Sequence, residues 1–197
     1  MRDRWYGDDR DVVKWSAALH LARREGLADV VYVAMHRPDD DWPPLVTARG
    51  PVPLPDEVVR HFRDLDDLQR LEAQTGLRIA TVKEPFVDRA AYFRRVCERV
   101  GKYAAPVLVL LDPDTGLAPD GGGGPQHVTS DEVAALFAAL RPGDLLACYQ
   151  HARRQKDWRG RARRAFANAP GVPSFEVEAL RSELAKDVLL LAVRKGK

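Results

Sequence analysis

Short apolar runs alternate with amphipathic helical patterns along most of the chain. The segments DVVYVAM, LRIATVK, APVLVLLD and LLACYQH are rich in β-branched residues or leucine, which is typical of buried strands. Apolar residues recur at helical spacing over about 10–25, 55–74, 88–100 and 130–143, and a basic helix is predicted over 156–169. This alternation predicts an α/β fold with a mostly parallel sheet covered by helices, because parallel strands need long crossover connections.

Polar residues and glycines mark several of the predicted helix ends. Asp88 and Ser130 stand where two helices begin and are predicted to be their N-caps. Gly26 and Gly101 follow the last apolar residues of two helices and are predicted to stop them. These four residues bound the helices more closely than the apolar pattern does.

The last part of the chain departs from the alternation. SFEVEAL and DVLLLAVRK are predicted strands joined by the short segment RSELAK. Because this connection is too short for a crossover helix, the last strand is expected to run antiparallel. The 197 residues are expected to form one Rossmann-like domain over 1–197. A proline-rich loop over 36–55 and a flexible glycine loop over 117–129 are predicted within it.

Charge is unevenly distributed, although the formal net charge is only +2. Between 151 and 164, seven basic residues accompany the single acid Asp157. A segment of this kind can contact phosphates, which predicts nucleic-acid binding by Arg153, Arg154, Arg159 and Arg163. The alternative is a solvated helix face, with Trp158 and Phe166 on the buried side.

Cysteine content argues against a disulfide-stabilised protein, and hydropathy argues against a membrane-spanning one. The two cysteines, Cys97 and Cys148, lie in a helical and a strand pattern, which favours a reducing compartment over a disulfide framework or a cysteine zinc site. No stretch reaches the roughly eighteen apolar residues of a membrane span, and the N-terminal segment has no apolar signal core. A cytoplasmic protein without a membrane partner is expected.

Polar side chains follow each of the four predicted parallel strands. Carboxyl ends of parallel strands meet at one edge of the sheet, where ligands bind in such folds. The residues at these ends are His36 and Asp39, then Glu84, then Asp112 and Asp114, and finally Tyr149, Gln150 and His151. They predict a functional site at this edge, although strands also end in polar residues simply because they reach the surface.

Asp112 and Asp114 are the sharpest candidates. With Pro113 between them, extended geometry would project both carboxylates to one side. Such a pair can bind Mg²⁺ or Mn²⁺, act as a general base, or accept hydrogen bonds from a substrate amine. The alternative is a turn in which Asp112 caps backbone amides. Of the histidines, His151 is favoured as a catalytic residue over His127, because its strand follows the Asp112 strand in a regular order.

Three motifs carry a resemblance that spans nearly the whole chain. They are Gly7 and Asp8 with Lys14 and Trp15, the segment DPDTG over 112–116, and the segment YQH over 149–151. Together they resemble a group of uncharacterised bacterial proteins. The first two motifs are also similar to those of ribosomal-RNA adenine methyltransferases, which are class I enzymes dependent on S-adenosylmethionine. An antiparallel last strand is typical of that class as well.

The methyltransferase resemblance implies roles for particular residues. Asp112 and Pro113 would face the target amine, and the methyl donor would lie over the first two strands. Lys14 would contact ligand or nucleic acid. The residues implied to bind the cofactor are His36, Asp39 and Glu84, the last through the ribose hydroxyls.

The sequence also departs from the methyltransferase pattern in three places. Asp114 and Thr115 replace the second proline and the stacking aromatic residue, so base stacking would fall to Trp5, Trp42 or Tyr149. The turn AMHRPDDD after the first strand has no glycine. One strand-helix unit is missing between LRIATVK and APVLVLLD.

Three functions follow from these patterns. The leading one is a methyltransferase-like enzyme acting on nucleic acid or a nucleotide, with catalytic residues Asp112, Asp114, His151 and Lys14. The second is a phosphodiesterase or nuclease that binds Mg²⁺ or Mn²⁺ through Asp112 and Asp114. The third is a non-catalytic member of the fold that binds nucleic acid or a protein. The oligomeric state is not predicted.

Overall fold

The computed structural model describes residues 8–37, 45–47, 50–53, 55, 68–119 and 122–196. The helices in these ranges are α1 (Asp9–Arg24), α2 (Leu68–Thr75), α3 (Arg89–Val100), α4 (Ser130–Ala139), α5 (Trp158–Asn168) and a 3₁₀ turn (Ser174–Glu176). Of the helix predicted over 55–74, residues 56–67 lie outside the described residues, and the remainder from Leu68 forms α2. None of the described helices is long and apolar enough to cross a membrane.

The same described ranges contain ten strands. They are β1 (Asp29–Val33), β2 (Leu45–Thr47), β3 (Gly50–Val52), β4 (Arg78–Val82), β5 (Val107–Leu111), β6 (Gly116–Leu117), β7 (His127–Val128), β8 (Leu145–His151), β9 (Glu178–Leu180) and β10 (Val188–Arg194). Six of them form the central sheet in the order β4-β1-β5-β8-β10-β9. β10 runs antiparallel to both its neighbours, and the pairs from β4 to β8 are parallel. The predicted α/β class with an antiparallel last strand is confirmed.

The strand order reverses between β1 and β5. From β1 the chain runs outward to β4, and it then returns through α3 to β5 on the other side of β1. Residues 83–106 contain only α3, so the missing strand-helix unit is also confirmed. In an open parallel sheet, the reversal creates a crevice at the carboxyl ends of the two strands. Here those ends are Val33 and Leu111, which lie opposite each other.

Both faces of the sheet are buried, which explains the uninterrupted apolar runs. Val31, Val33 and Val109 face a core that includes side chains from α3, α4 and α5. The alternate residues Tyr32 and Leu110 face a second core that includes side chains from α1 and α2. The two layers therefore place α1 and α3 on opposite sides of β1.

Helix caps agree with the sequence at most positions. The Asp88 carboxylate accepts a hydrogen bond of 2.9 Å from the Ala91 amide, and Gly101 follows α3 as predicted. The N-cap of α4 is Thr129 rather than Ser130. Thr129 and Glu132 form a reciprocal capping box, in which each side chain accepts from the other backbone amide. Glu132 lies three residues after Thr129, and this spacing distinguishes Thr129 from its neighbour.

Both predicted loops contain short strands. The 36–55 loop includes the antiparallel pair β2 and β3, and the 117–129 loop includes β7, which pairs in parallel with β6. Strands of two or three residues are too short to show an alternating pattern. Arg89 fixes the second loop by donating to the carbonyls of Gly124 and His127. That the glycine loop is flexible stays a prediction.

Gln150 joins the DPDTG and YQH motifs. Its Oε1 accepts from the Leu117 amide at 3.0 Å, and its Nε2 donates to the carbonyl oxygens of Thr115 at 3.0 Å and His151 at 2.8 Å. Between them, Gly116 has a φ of 98°, and a Cβ there would lie 2.4 Å from Gln150 Oε1. The buried amide and the glycine therefore hold the loop after Asp112 against β8.

Replacing Gly116 with alanine is expected to destabilise the protein more than replacing Gly76. Both glycines have positive φ, but a Cβ at Gly76 would meet nothing within 4 Å. Left-handed backbone costs an alanine about 1–2 kcal/mol, and Gly116→Ala must also displace Gln150 from its hydrogen bonds, which adds about 1–3 kcal/mol. Urea unfolding of both variants measures the difference. Equal losses would contradict the bracing role of Gln150.

Candidate functional site

A buried ion-pair cluster lies at the reversal of the strand order. The Lys14 ammonium on α1 lies 2.6 Å from Asp112 Oδ2, just after β5, and 2.5 Å from Asp11 Oδ1. The Lys14 side chain is only 2% exposed. Because Asp11 and Lys14 are three apart on one helix, their side chains share a face. The sequence therefore places a lysine and its first carboxylate together before the sheet supplies the second.

Aromatic side chains complete the surroundings of Lys14. Tyr32 on β1 donates its hydroxyl proton to Asp112 Oδ2 at 2.5 Å. The Lys14 ammonium lies 5.6 Å from the centre of the Tyr32 ring and 5.7 Å from that of Tyr149. Ring faces attract a cation. The Lys14 ammonium and the Tyr32 hydroxyl thus both contact the same oxygen of Asp112, and the two rings surround the ammonium.

The electrostatics of this cluster favour a charged lysine. Burial alone would lower the pKa of Lys14, but the Asp112 and Asp11 carboxylates outweigh it and hold that pKa above its ordinary value. Burial and the Asp112 charge raise the pKa of the Tyr149 hydroxyl, which stays protonated. Two carboxylates thus share one ammonium, so the cluster has an excess of negative charge when all three groups are ionised.

Asp112 and Asp114 do not share a cation. Asp114 is paired with Arg37, which follows β1, whereas Asp112 is paired with Lys14. Whether both carboxylates bind one metal ion stays a prediction, and in this structure each faces a different protein cation. Within the described residues, the Asp112 carboxylate contacts side chains rather than capping backbone amides. Among the described residues, no group of three side chains is arranged to hold a metal ion.

His151 ends β8 beside a second charged cluster. Its Nδ1 lies 3.8 Å from Asp187 Oδ2, and Arg10 donates to the same oxygen from Nε at 3.0 Å and Nη2 at 2.7 Å. Arg10 also pairs with Asp8 at 3.1 Å. Burial lowers the pKa of His151 below its ordinary value, although Asp187 partly opposes this. The imidazole is therefore neutral near pH 7.

The residues predicted to hold a cofactor lie at the ends of β1 and β4. The His36 carbonyl accepts from the Phe86 amide at 2.8 Å. Glu84 lies 3.3 Å from Arg99, and its side chain is 40% exposed. Asp39 lies outside the described residues, as do Gly7 and the candidate stacking residues Trp5 and Trp42. The roles of these residues stay predictions.

The basic segment is partly structural. Arg153 donates to the Leu117 carbonyl, Arg159 to that of Lys186 at 2.8 Å, and Arg163 to that of Phe175 at 3.1 Å. These three arginines brace neighbouring loops, in addition to any role with phosphates. Arg154 is exposed. The predicted buried side is confirmed, since Phe166 is buried and Trp158 packs against the core.

Lys14 is buried, and its ammonium contacts Asp11 and Asp112. Its contact with ligand or nucleic acid stays a prediction. Three residues of these clusters are not among the candidates from the sequence: Asp11 and Tyr32 beside Lys14 and Asp112, and Asp187 beside His151. Asp11 is detectable from its spacing to Lys14, and Tyr32 interrupts the otherwise apolar run VVYVAM. Asp187 lies in a surface turn and had no such signal.

Comparison with known proteins gives only distant likenesses. No protein-family model matches the chain, and no curated protein matches it. A proposed methyltransferase from Thermobifida fusca YX has a TM-score of 0.45 at 13% identity, with 96% of this chain and 81% of that one covered. A DUF574 family protein from Streptomyces avermitilis MA-4680 has a TM-score of 0.42 at 14% identity, with 95% and 82% covered. At these values neither structure establishes an activity for this chain.

Replacing Lys14 with methionine is expected to lower the free energy of unfolding by about 3–5 kcal/mol, because it leaves two buried carboxylates without their cation. The exposed Lys102 is the matched control, and Lys102→Met should change stability by less than about 0.5 kcal/mol. The double variant Lys14→Met with Asp112→Asn should lose less than the sum of the two single losses.

The pH dependence of the Lys14 effect follows from its raised pKa. Its stabilisation is fully present below the ordinary value of 10.5 and is lost only as the pH rises through the higher folded value. Urea unfolding should therefore give the same difference between wild type and Lys14→Met from about pH 6 to about pH 9. A difference that disappears within this range would show that Lys14 is neutral.

His151 is expected to titrate below its ordinary pKa of 6.5. Because Asp187 favours the protonated form, Asp187→Asn should lower that pKa further. Proton-detected NMR titration of the imidazole resonances measures both effects, with His151→Gln used to assign the signal. A rise of the pKa in Asp187→Asn would mean that the carboxylate does not act on His151.

Proposed function

We propose that the chain is a methyltransferase-like enzyme that uses S-adenosylmethionine to methylate an amine of a nucleic acid or nucleotide. Asp112 stands at the catalytic strand end, where β5 meets β1 at the reversal of the strand order. The observation that carries the proposal is the buried contact between the Lys14 ammonium and the Asp112 carboxylate at this place.

A purely structural role explains this cluster poorly. Moving charged groups out of water is costly, and well-packed apolar residues often stabilise a core as well as a buried ion pair does. Here an ammonium and two carboxylates are buried at the reversal of the strand order, where open parallel sheets bind ligands. Buried charges gathered at such a crevice support a functional carboxylate.

The orientation of Asp112 suits it to accept a hydrogen bond from an amine. Lys14 and Tyr32 both donate to Oδ2, which restricts rotation of the carboxylate. Asp112 is 3% exposed, so Oδ1 is assigned to a target amine that enters the site from the end of β5. A target N–H that donates to Oδ1 is aligned for reaction, and its nitrogen becomes more nucleophilic as the proton is drawn away.

The ends of β1 and β4 fit a nucleoside methyl donor. Met35 has a φ of 45°, so the turn after β1 takes the left-handed conformation that glycine commonly provides where backbone approaches a ligand. Glu84 offers a partly exposed carboxylate to ribose hydroxyls. When bound, S-adenosylmethionine supplies a methyl group on a positively charged sulfur, and the excess negative charge around Lys14 favours such a cation.

His151 is assigned to accept the proton that the methylated amine releases. Its lowered pKa keeps it neutral near pH 7, and Asp187 beside Nδ1 favours the tautomer that carries its proton there. Nε2 then holds the lone pair that takes up the proton. Asp114, held by Arg37, is assigned to position the loop that carries Asp112.

Exposed basic side chains support a nucleic-acid or nucleotide substrate. Arg154, Lys156 and Arg161 are exposed in the segment that follows β8, so their charges are available to phosphates. Tyr149 is less suited to base stacking than the sequence implied, because it is 7% exposed and Lys14 lies over its ring. The metal-dependent alternative has less support, since Asp112 and Asp114 already face protein cations.

S-adenosylmethionine and S-adenosylhomocysteine are expected to raise the melting temperature of the purified protein. At a hundredfold excess over Kd, binding stabilises by about 2.7 kcal/mol, which corresponds to several degrees for a chain of this size. Glu84→Gln should weaken binding measured by calorimetry. Glu98→Gln, which changes an exposed glutamate on α3, should leave binding unchanged. Asp112→Asn should retain donor binding and lose at least about a hundredfold in methyl transfer.

Mg²⁺ and Mn²⁺ are tested in parallel. Stabilisation by a metal alone, lost in Asp112→Asn with Asp114→Asn, would overturn the proposal in favour of phosphodiester hydrolysis. Salt-sensitive nucleic-acid binding, lost in Arg154→Ala with Arg161→Ala and accompanied by no response to either nucleoside, would instead indicate a non-catalytic binder.

A further inference from the structure

The turn after β1 has an unusual backbone. Met35 is the residue with φ of 45°, and its side chain is 1% exposed. Left-handed backbone is unfavourable for a residue with a long side chain and persists only where the surroundings hold it. This turn lies at the end of the strand that borders the crevice, so what holds it also shapes that crevice.

Tyr92 on α3 holds the Met35 backbone. The Met35 amide donates a hydrogen bond of 3.1 Å to the Tyr92 hydroxyl, and the next carbonyl, that of His36, accepts from the Phe86 amide at 2.8 Å. The Tyr92 ring is 1% exposed and contacts the Phe86 ring edge to face at 5.0 Å. Tyrosine rather than phenylalanine is required here, because only a hydroxyl can accept from the buried amide.

The same helix also holds the end of β4. Arg99 donates to the Thr81 carbonyl at 3.0 Å and lies 3.3 Å from Glu84. Tyr92 and Arg99 are seven residues apart, and a separation of two helical turns places both side chains on one face of α3. One rigid helix therefore fixes both strand ends at which a donor is expected to bind.

We propose that Tyr92 is the positioning residue for the methyl donor. Its hydroxyl holds the Met35 turn in the left-handed shape that other enzymes obtain from glycine, so that the backbone after β1 is preorganised for the nucleoside. This inference rests on the proposed function, because it assigns the donor site of that same enzyme.

The variant Tyr92→Phe removes the hydroxyl and keeps the ring. The Kd for S-adenosylhomocysteine, measured by calorimetry, should rise about tenfold, since the buried Met35 amide loses its acceptor and the turn relaxes. Tyr103→Phe is the matched control. Tyr103 is partly buried and follows α3 in the chain. It lies near Asp29 and Arg78, where β1 and β4 begin, and so at the opposite strand ends from Met35. Its removal should change Kd by less than about twofold.

Nuclear magnetic resonance gives a second test that needs no variant. In wild-type protein labelled with ¹⁵N, saturating S-adenosylhomocysteine should shift the amide resonances of Met35 and His36. Unshifted Met35 and His36 signals in the saturated protein would overturn the inference, even if Tyr92→Phe failed to fold.

The outcomes separate the two proposals. Wild-type protein that binds neither nucleoside would overturn the proposed function and the role of Tyr92 with it. Wild-type binding that Tyr92→Phe leaves unchanged would overturn the role of Tyr92 alone. A Tyr92→Phe variant with a lower melting temperature but an unchanged Kd would also overturn it, because the hydroxyl would then act only on stability.

Discussion

The contact between Lys14 and Asp112 connects parts of the chain that are 98 residues apart. It attaches α1 to the end of β5, next to β1, and it does so in a place shielded from water. An isolated ammonium or carboxylate in such a place would be very unfavourable, so Lys14 and its two carboxylate partners stabilise one another there. The position of α1 across the sheet, the orientation of the Asp112 carboxylate and the packing of Tyr32 all depend on this mutual stabilisation.

Much of the fold could be predicted from the sequence, because apolar periodicity reports burial directly. DVVYVAM and APVLVLLD are apolar throughout since both faces of the sheet are covered, and RSELAK is too short to carry a crossover. The pair β2 and β3 could not be predicted in this way, because three residues are too few for an alternating pattern. The N-cap of α4 was misplaced by one residue because two hydroxyl side chains, Thr129 and Ser130, stand next to each other.

The site was only partly predictable, for a different physical reason. The carboxyl ends of parallel strands lie at one edge of the sheet, so the polar residues that follow them can be placed there from the sequence. Asp112 and His151 are predicted in this way. Sequence gives no direction for a long flexible side chain, however, and Lys14 points inward although lysine is usually solvated. The arginines of the basic segment illustrate the same limit. Arg159 and Arg163 have the spacing of a phosphate-binding face, yet their guanidinium groups reach carbonyls of segments that are distant in sequence.

The place of β10 in the sheet has a consequence for folding during synthesis. β10 comes late in the chain but lies between β8 and β9, with seven residues paired to β8. Until residues 188–194 leave the ribosome, the apolar strand β8 has an open edge, which is a template for pairing with other chains. A nascent chain that pauses before this point therefore exposes an unpaired edge that favours aggregation.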